Sequence, residues 1–197
     1  MDAEYYLGLL AFTFAVSVTP GPNNLMLLAS GLNHGVRDSL PHYFGIAFGI
    51  LLITVIVGLG FGALIVEFPE AFLTIKMLGL SYLLFLAWKI ANAGRQSASD
   101  GLKKPLSFFQ ATAFQWVNPK VWVMTVTVVT AFTVQQRMVE SVIAVSLAHS
   151  LASFFGPGLW LVAGQSLQQF LKQDKRLRFF NITMALLLVI SVIPMVF

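Results

Sequence analysis

The sequence predicts an all-α integral membrane protein: six transmembrane helices in two inverted three-helix repeats, with the first and fourth helices broken near the midplane. Three observations lead there. Of 197 residues, 57% are hydrophobic and only 10% charged, whereas soluble domains carry about 25% charged residues. Six apolar stretches follow one another with short connections, each long enough for the roughly 20 residues that cross a bilayer. Two of the six are interrupted by proline beside polar residues, at Thr19-Pro20-Gly21-Pro22-Asn23-Asn24 and at Asn118-Pro119-Lys120.

The stretches are Tyr5–Ser30, Leu40–Val66, Ala71–Ala91, Leu106–Val134, Val139–Gln165 and Leu177–Phe197. The longest connection, Asn92 to Pro105, is rich in Gly, Ser and Lys. Nothing in it marks a domain boundary, so residues 1–197 read as one domain with halves of about 1–95 and 106–197. The acidic start, Met1-Asp2-Ala3-Glu4, lacks the basic region of a cleaved signal peptide. With no cysteine, the chain can form neither a disulfide framework nor a thiolate metal site.

In the first stretch, each proline lacks an N–H and crowds the carbonyl one turn back. A freed carbonyl finds no water in hydrocarbon, so such a break persists only where protein or an aqueous cavity satisfies it. A lone proline would read as a kink. Pro20-Gly21-Pro22 followed by Asn23 and Asn24 points instead to a binding feature.

Sorting Lys and Arg by loop gives the orientation. Arg37, Lys89, Arg95, Lys103, Lys104, Lys172, Lys175, Arg176 and Arg178 fall on one side, against only Lys76 and Arg137 on the other, where Asp2, Glu4, Glu67, Glu70 and Glu140 also lie. Nine against two puts loops one, three and five in the cytoplasm and both termini outside. The halves also repeat. Ser39, Leu40, His42, Phe48 and Gly49 match Ser146, Leu147, His149, Phe155 and Gly156 in register without a gap. With three spans per half, the halves run in opposite directions, as in many secondary transporters whose sites lie where discontinuous helices meet.

Asn118-Pro119 reads as a helix start inside the fourth stretch: Asn is a favoured N-cap, and Pro at the next position loses an N–H that would be unpaired anyway. Thr19 or Gly21 can serve likewise in the first. Restarted half-helices offer free amides and a positive dipole end, a cradle for a carboxylate. Asn23, Asn24 and Asn118 add side-chain donors and acceptors, or else merely satisfy the broken backbone. Lys120 lies about 14 residues, or about 20 Å, into its span, too deep to snorkel, so its ammonium must face the bundle interior or water. Lys120, His149 and His42 are the candidates for proton coupling, since imidazole ordinarily titrates near neutrality. A histidine that only joins helices by one hydrogen bond is the equal alternative. Gly45, Gly49, Gly156, Gly158 and Pro157 suit close helix contacts or a kink. No Asp or Glu sits within a span core, which excludes an intramembrane aspartyl protease or a carboxylate-driven pump. No phosphate loop, metal cluster or Ser/His/Asp set appears, no cofactor is called for, and nucleic acid has no support.

Thr19-Pro20-Gly21-Pro22-Asn23, the stretch Gly31–His42 and Asn118-Pro119-Lys120 together resemble the signatures of the LysE/RhtB family of amino-acid exporters, and length and span number agree along the whole chain. The resemblance implies proton-driven export of amino acids or close derivatives across a bacterial inner membrane. It points to Pro20, Gly21, Pro22, Asn23, Asn118, Pro119 and Lys120. The expected partners are an amino-acid substrate, protons and the lipid bilayer, with a homo-oligomer left open. The lack of buried acids favours a neutral substrate over a dibasic one. The alternatives are a channel, or a membrane enzyme or assembly factor that transports nothing.

Overall fold

The computed structural model describes residues 1–61, 69–92, 104–168 and 170–196. Among them the chain is helical throughout, without strands: α1 (Ala3–Val18), α2 (Pro22–Ile56), α3 (Pro69–Ala91), α4 (Phe108–Val117), α5 (Pro119–Phe132), α6 (Met138–Leu167) and α7 (Asp174–Val196). Expectations for Val66, Glu67, Arg95 and Lys103 lie outside the described residues.

Local chemistry sets the ends. Asp2 caps α1 by accepting from the Tyr5 amide at 2.9 Å. Ser107 and Gln110 form a reciprocal capping box at the start of α4. The stretch Gly31–Ser39, expected to include a loop, is helical except at Gly35, whose φ of 79° and ψ of 171° break α2 into two rods. Only glycine takes that conformation cheaply. The break frees the Val36 amide, which the Gln165 side chain accepts at 2.6 Å.

The second rod of α2 and α6 belong to stretches long and apolar enough to cross a membrane, whereas Ala3–Val18 and Pro119–Phe132 are apolar but shorter. Sixteen residues give about 24 Å of helix against a hydrocarbon core of about 30 Å. The outer surface carries Phe14, Phe44, Phe48, Leu84, Trp88, Leu147, Leu151, Phe155 and Leu159, while Asn23, Asn24, Gln115, Asn118, His42 and His149 are buried. Apolar outside and polar inside is the pattern of a chain solvated by lipid.

Helix α1 packs on α6, α2 on both α6 and α4, and α3 on α7. Small residues allow these approaches. A Cβ at Gly31 would strike the backbone of Leu161, one at Gly45 that of Phe108, one at Gly79 that of Val117, and one at Gly156 that of Ser17. Apolar clusters fill the spaces between, including Leu25, Leu83, Phe114 and Leu188 on one side and Leu27, Ile46, Ile53 and Leu161 on the other. Gln165 reaching Val36, and Gln168 donating to the Gly31 carbonyl at 3.0 Å, bring the Gly35 break and the end of α6 together at one end of the bundle. At the opposite end Tyr5 donates to the Phe132 carbonyl at 2.8 Å.

Candidate functional site

Pro20 cannot donate to the Val16 carbonyl, nor Pro22 to that of Val18, so α1 must stop here. Both orphaned acceptors are satisfied by side chains. Thr19 Oγ1 donates to Val16 O at 2.7 Å, and Trp160 Nε1, from α6, donates to Val18 O at 3.0 Å. Asn24 Nδ2 reaches the carbonyls of Ser17 and Thr19, both at 2.8 Å. Lys120, from the other break, donates to Thr19 O and Thr19 Oγ1 at 2.8 Å and to Pro20 O at 3.0 Å. Gly21 is fully extended (φ 176°, ψ 178°) and starts α2 with no side-chain cap, Pro22 being the first helical residue. The first-turn amides of Asn23 and Asn24 therefore have no capping oxygen from their own chain end.

The second break is tighter. Asn118 alone leaves the helical path (φ −89°, ψ 104°). Its side chain accepts from the Lys120 amide at 3.2 Å, its carbonyl from Val121 and Trp122 at 3.1 and 3.3 Å. Its own amide takes the Gln115 carbonyl that Pro119 cannot serve, at 3.3 Å.

A buried amide pair ties the two breaks. Asn23 Nδ2 donates to Gln115 Oε1 at 2.7 Å, and Gln115 Nε2 returns a bond to Asn23 Oδ1 at 3.1 Å. Asn118 Nδ2 approaches the same Asn23 oxygen at 3.4 Å. Gln115 is fully buried, and the sequence reading passed over it. Its one signal was a glutamine in an apolar run three residues before Asn-Pro.

Between the breaks and α6 lies a small cleft of about 40 Å³, lined among others by Ser17, Gly21, Pro22, Asn23, Asn24, Asn118, Lys120, Met124, His149 and Ser153. Thr19 and Pro20 reach it through their bonds to Lys120, and Pro119 is buried behind it. The two candidate histidines part company. His149 lines the cleft, its Nδ1 3.1 Å from Thr54 Oγ1. The Thr54 hydrogen goes to Ile50 O at 2.7 Å, so at this contact the ring donates from Nδ1. His42 is away from the cleft, bonded to the Ser30 hydroxyl at 3.2 Å. A larger cavity of about 540 Å³ lies between the end of α6 and the start of α7; among the described residues its walls are mostly apolar, including Phe170, Leu171, Phe179 and Phe180, with Lys175, Arg176 and Thr183 as the polar side chains.

Polar groups concentrated at paired helix breaks inside an apolar bundle are what a translocation site requires. The LysE type translocator family matches residues 14–193. The chain belongs to that family. It is similar to proteins named cysteine/O-acetylserine efflux protein in Escherichia coli (strain K12), Shigella flexneri and Shigella sonnei, each 35% identical over 181 residues and covering 90% of this chain and 90% of the relative. No solved structure matches. Membership of a LysE-type family makes this a membrane transport protein rather than an enzyme.

Proposed function

We propose that this LysE-type translocator is a secondary exporter of small neutral amino acids and close derivatives, driven by the proton gradient, with its substrate held at the junction of the two helix breaks. One observation carries the reading: the amide-tied junction presents carbonyl oxygens at the end of α1 and uncapped first-turn amides at the start of α2 side by side. A free amino acid needs both, acceptors for its ammonium and donors for its carboxylate. Among the described residues no Asp or Glu lines the cleft, so a second, side-chain cation would find no counter-charge there. The relatives' named substrates, cysteine and O-acetylserine, are both small and carry no such cation.

The binding set is Thr19, Pro20, Gly21, Pro22, Asn23, Asn24, Asn118, Pro119 and Lys120, joined by Gln115. For proton coupling the cleft favours Lys120 and His149 over His42, which lies outside it. A cleft of about 40 Å³ holds little more than a water, far below the roughly 300 Å³ at which ligand pockets begin, so loading requires the halves to separate.

The same reading takes the chain as one six-span domain of two inverted repeats. In its support, the first helix of each half packs on the second helix of the other, α1 on α6 and α2 on α4, and the third helices α3 and α7 pack together. Membrane orientation follows the basic residues: both termini are periplasmic, and a reporter fused after Phe197 reads periplasmic. The decisive experiment is efflux of labelled O-acetylserine from preloaded cells or vesicles. Uphill export that an uncoupler stops is expected; flux that only runs downhill and ignores the uncoupler overturns the coupled-exporter reading in favour of a channel.

A further inference from the structure

We infer that the Lys120 ammonium is an internal stand-in for the ammonium of the transported molecule: both use the carbonyl cage at the end of α1, and binding of one expels the other. The inference rests on the reading that this cleft is the substrate site, and adds how the substrate is recognised.

A lysine ammonium has three N–H donors. Here all three are matched, by Thr19 O, Thr19 Oγ1 and Pro20 O at 2.8 to 3.0 Å. The cage is held in shape around it. The Thr19 hydroxyl gives its hydrogen to Val16 O, which leaves its oxygen accepting, and Asn24 holds the Thr19 carbonyl from the other side. Gly21 leaves the path open for the lysine stem, because a Cβ there would stand 2.6 Å from Lys120 Cδ and 2.7 Å from Nζ. Among the described residues no carboxylate pairs with Lys120; the ion pair found there joins Arg137 and Glu140. The cage is therefore built from neutral oxygens at the negative end of a helix dipole, which suits any primary ammonium.

The α-ammonium of an amino acid is the same group, three N–H on one tetrahedral nitrogen. Seated in the cage, it would put its carboxylate within reach of the uncapped Asn23 and Asn24 amides. Two cations cannot share one set of three oxygens in a cleft of about 40 Å³. Substrate entry thus evicts Lys120, whose ammonium then finds its partner in the substrate carboxylate. Two consequences follow. Acylation of the α-nitrogen removes the recognised group, whereas acylation of a side-chain oxygen leaves it. And Lys120 couples occupancy to charge, since the cage never holds zero or two cations.

The test measures binding to purified protein by calorimetry, with serine methyl ester (ammonium, no carboxylate) and N-acetylserine (carboxylate, no ammonium) as probes. In Lys120→Met the cage is vacated, and the ester should bind about tenfold tighter or more than to the wild type, the worth of one charge-assisted hydrogen bond. Lys120→Arg should bind it no better than the wild type, and N-acetylserine should gain in neither variant. Unchanged or weakened ester binding in Lys120→Met, or an equal gain for N-acetylserine, overturns the inference. Should Lys120→Met not fold, Lys120→Leu, neutral and without any donor for the cage, carries the same test. Wild-type efflux of O-acetylserine is measured beside it. Its absence together with the expected ester result overturns the exporter reading and leaves the competition standing.

Discussion

At the second break one residue, Asn118, leaves the helical path, caps the next helix with its own side chain, and is 1% exposed. At the first, the chain runs extended from Thr19 to Gly21, the new helix has no side-chain cap, and the freed carbonyls are held by Asn24, Trp160 and Lys120. The second break is satisfied within a few residues of itself. The first depends on side chains from α5 and α6, elements of the other half. Any movement of the halves must therefore unmake bonds at the first break, while the second can move as a unit. On the proposed reading the two breaks do different work: Asn118 anchors, and Thr19 to Gly21 responds.

The largest effect should come from closing each break in turn. Pro20→Ala with Pro22→Ala restores the missing N–H donors and lets α1 run on, so efflux should fall more than about tenfold, the equivalent of at least 1.4 kcal/mol of barrier, with thermal stability kept. Pro119→Ala should lower efflux by much less, because Asn118 caps the helix without it. Equal losses at both sites would erase the distinction.

Next in size is the amide tie. Asn23→Ala leaves Gln115 buried with a lost partner, at about 1–3 kcal/mol of stability. Adding Gln115→Ala should cost less than the sum of the two single changes, the mark of a direct pair in a double-mutant cycle read by thermal unfolding. Smaller again, Asn118→Ala should cost about 1 kcal/mol as the loss of an N-cap. Gly21→Ala, whose extended backbone suits alanine, should instead spare stability and impair efflux by pushing Lys120 from its place. Arg137→Ala, breaking an exposed pair 3.8 Å long that is remote from both breaks, should change stability by less than about 0.5 kcal/mol.

Much of this was legible in the chain. Proline, glycine and asparagine inside apolar stretches announce breaks because lipid tolerates them only where the backbone is satisfied, and Asn118-Pro119 carries its capping chemistry in sequence. What satisfies the first break was not legible. From the sequence Lys120 must face the bundle interior or water; what it meets is the Thr19 hydroxyl and carbonyls 100 and 101 residues away, and backbone acceptors leave no mark in a sequence. Gln115 was hidden for the same reason: a single amide in an apolar run says nothing of the Asn23 that it meets across 92 positions. The two histidines align in the matching sequence stretches Ser39–Gly49 and Ser146–Gly156, and only packing separates His149 at the cleft from His42 outside it. Gly31–Ser39 read as a connection because it is polar, yet helix is kept through it, with one glycine supplying the turn.

On the proposed reading the cleft between the breaks is the substrate site and opens to both sides of the membrane. The chain contains no cysteine, so single cysteines can be introduced without removing any. Ser153→Cys lines the cleft, and Leu147→Cys, on the same helix, faces outward. Both would be exposed to a membrane-impermeant thiol reagent from each side in turn, with and without O-acetylserine. Ser153→Cys is expected to react from either side and to be protected by O-acetylserine, while Leu147→Cys shows no protection. Labelling of Ser153→Cys from one side only, or at a rate indifferent to O-acetylserine, would contradict it.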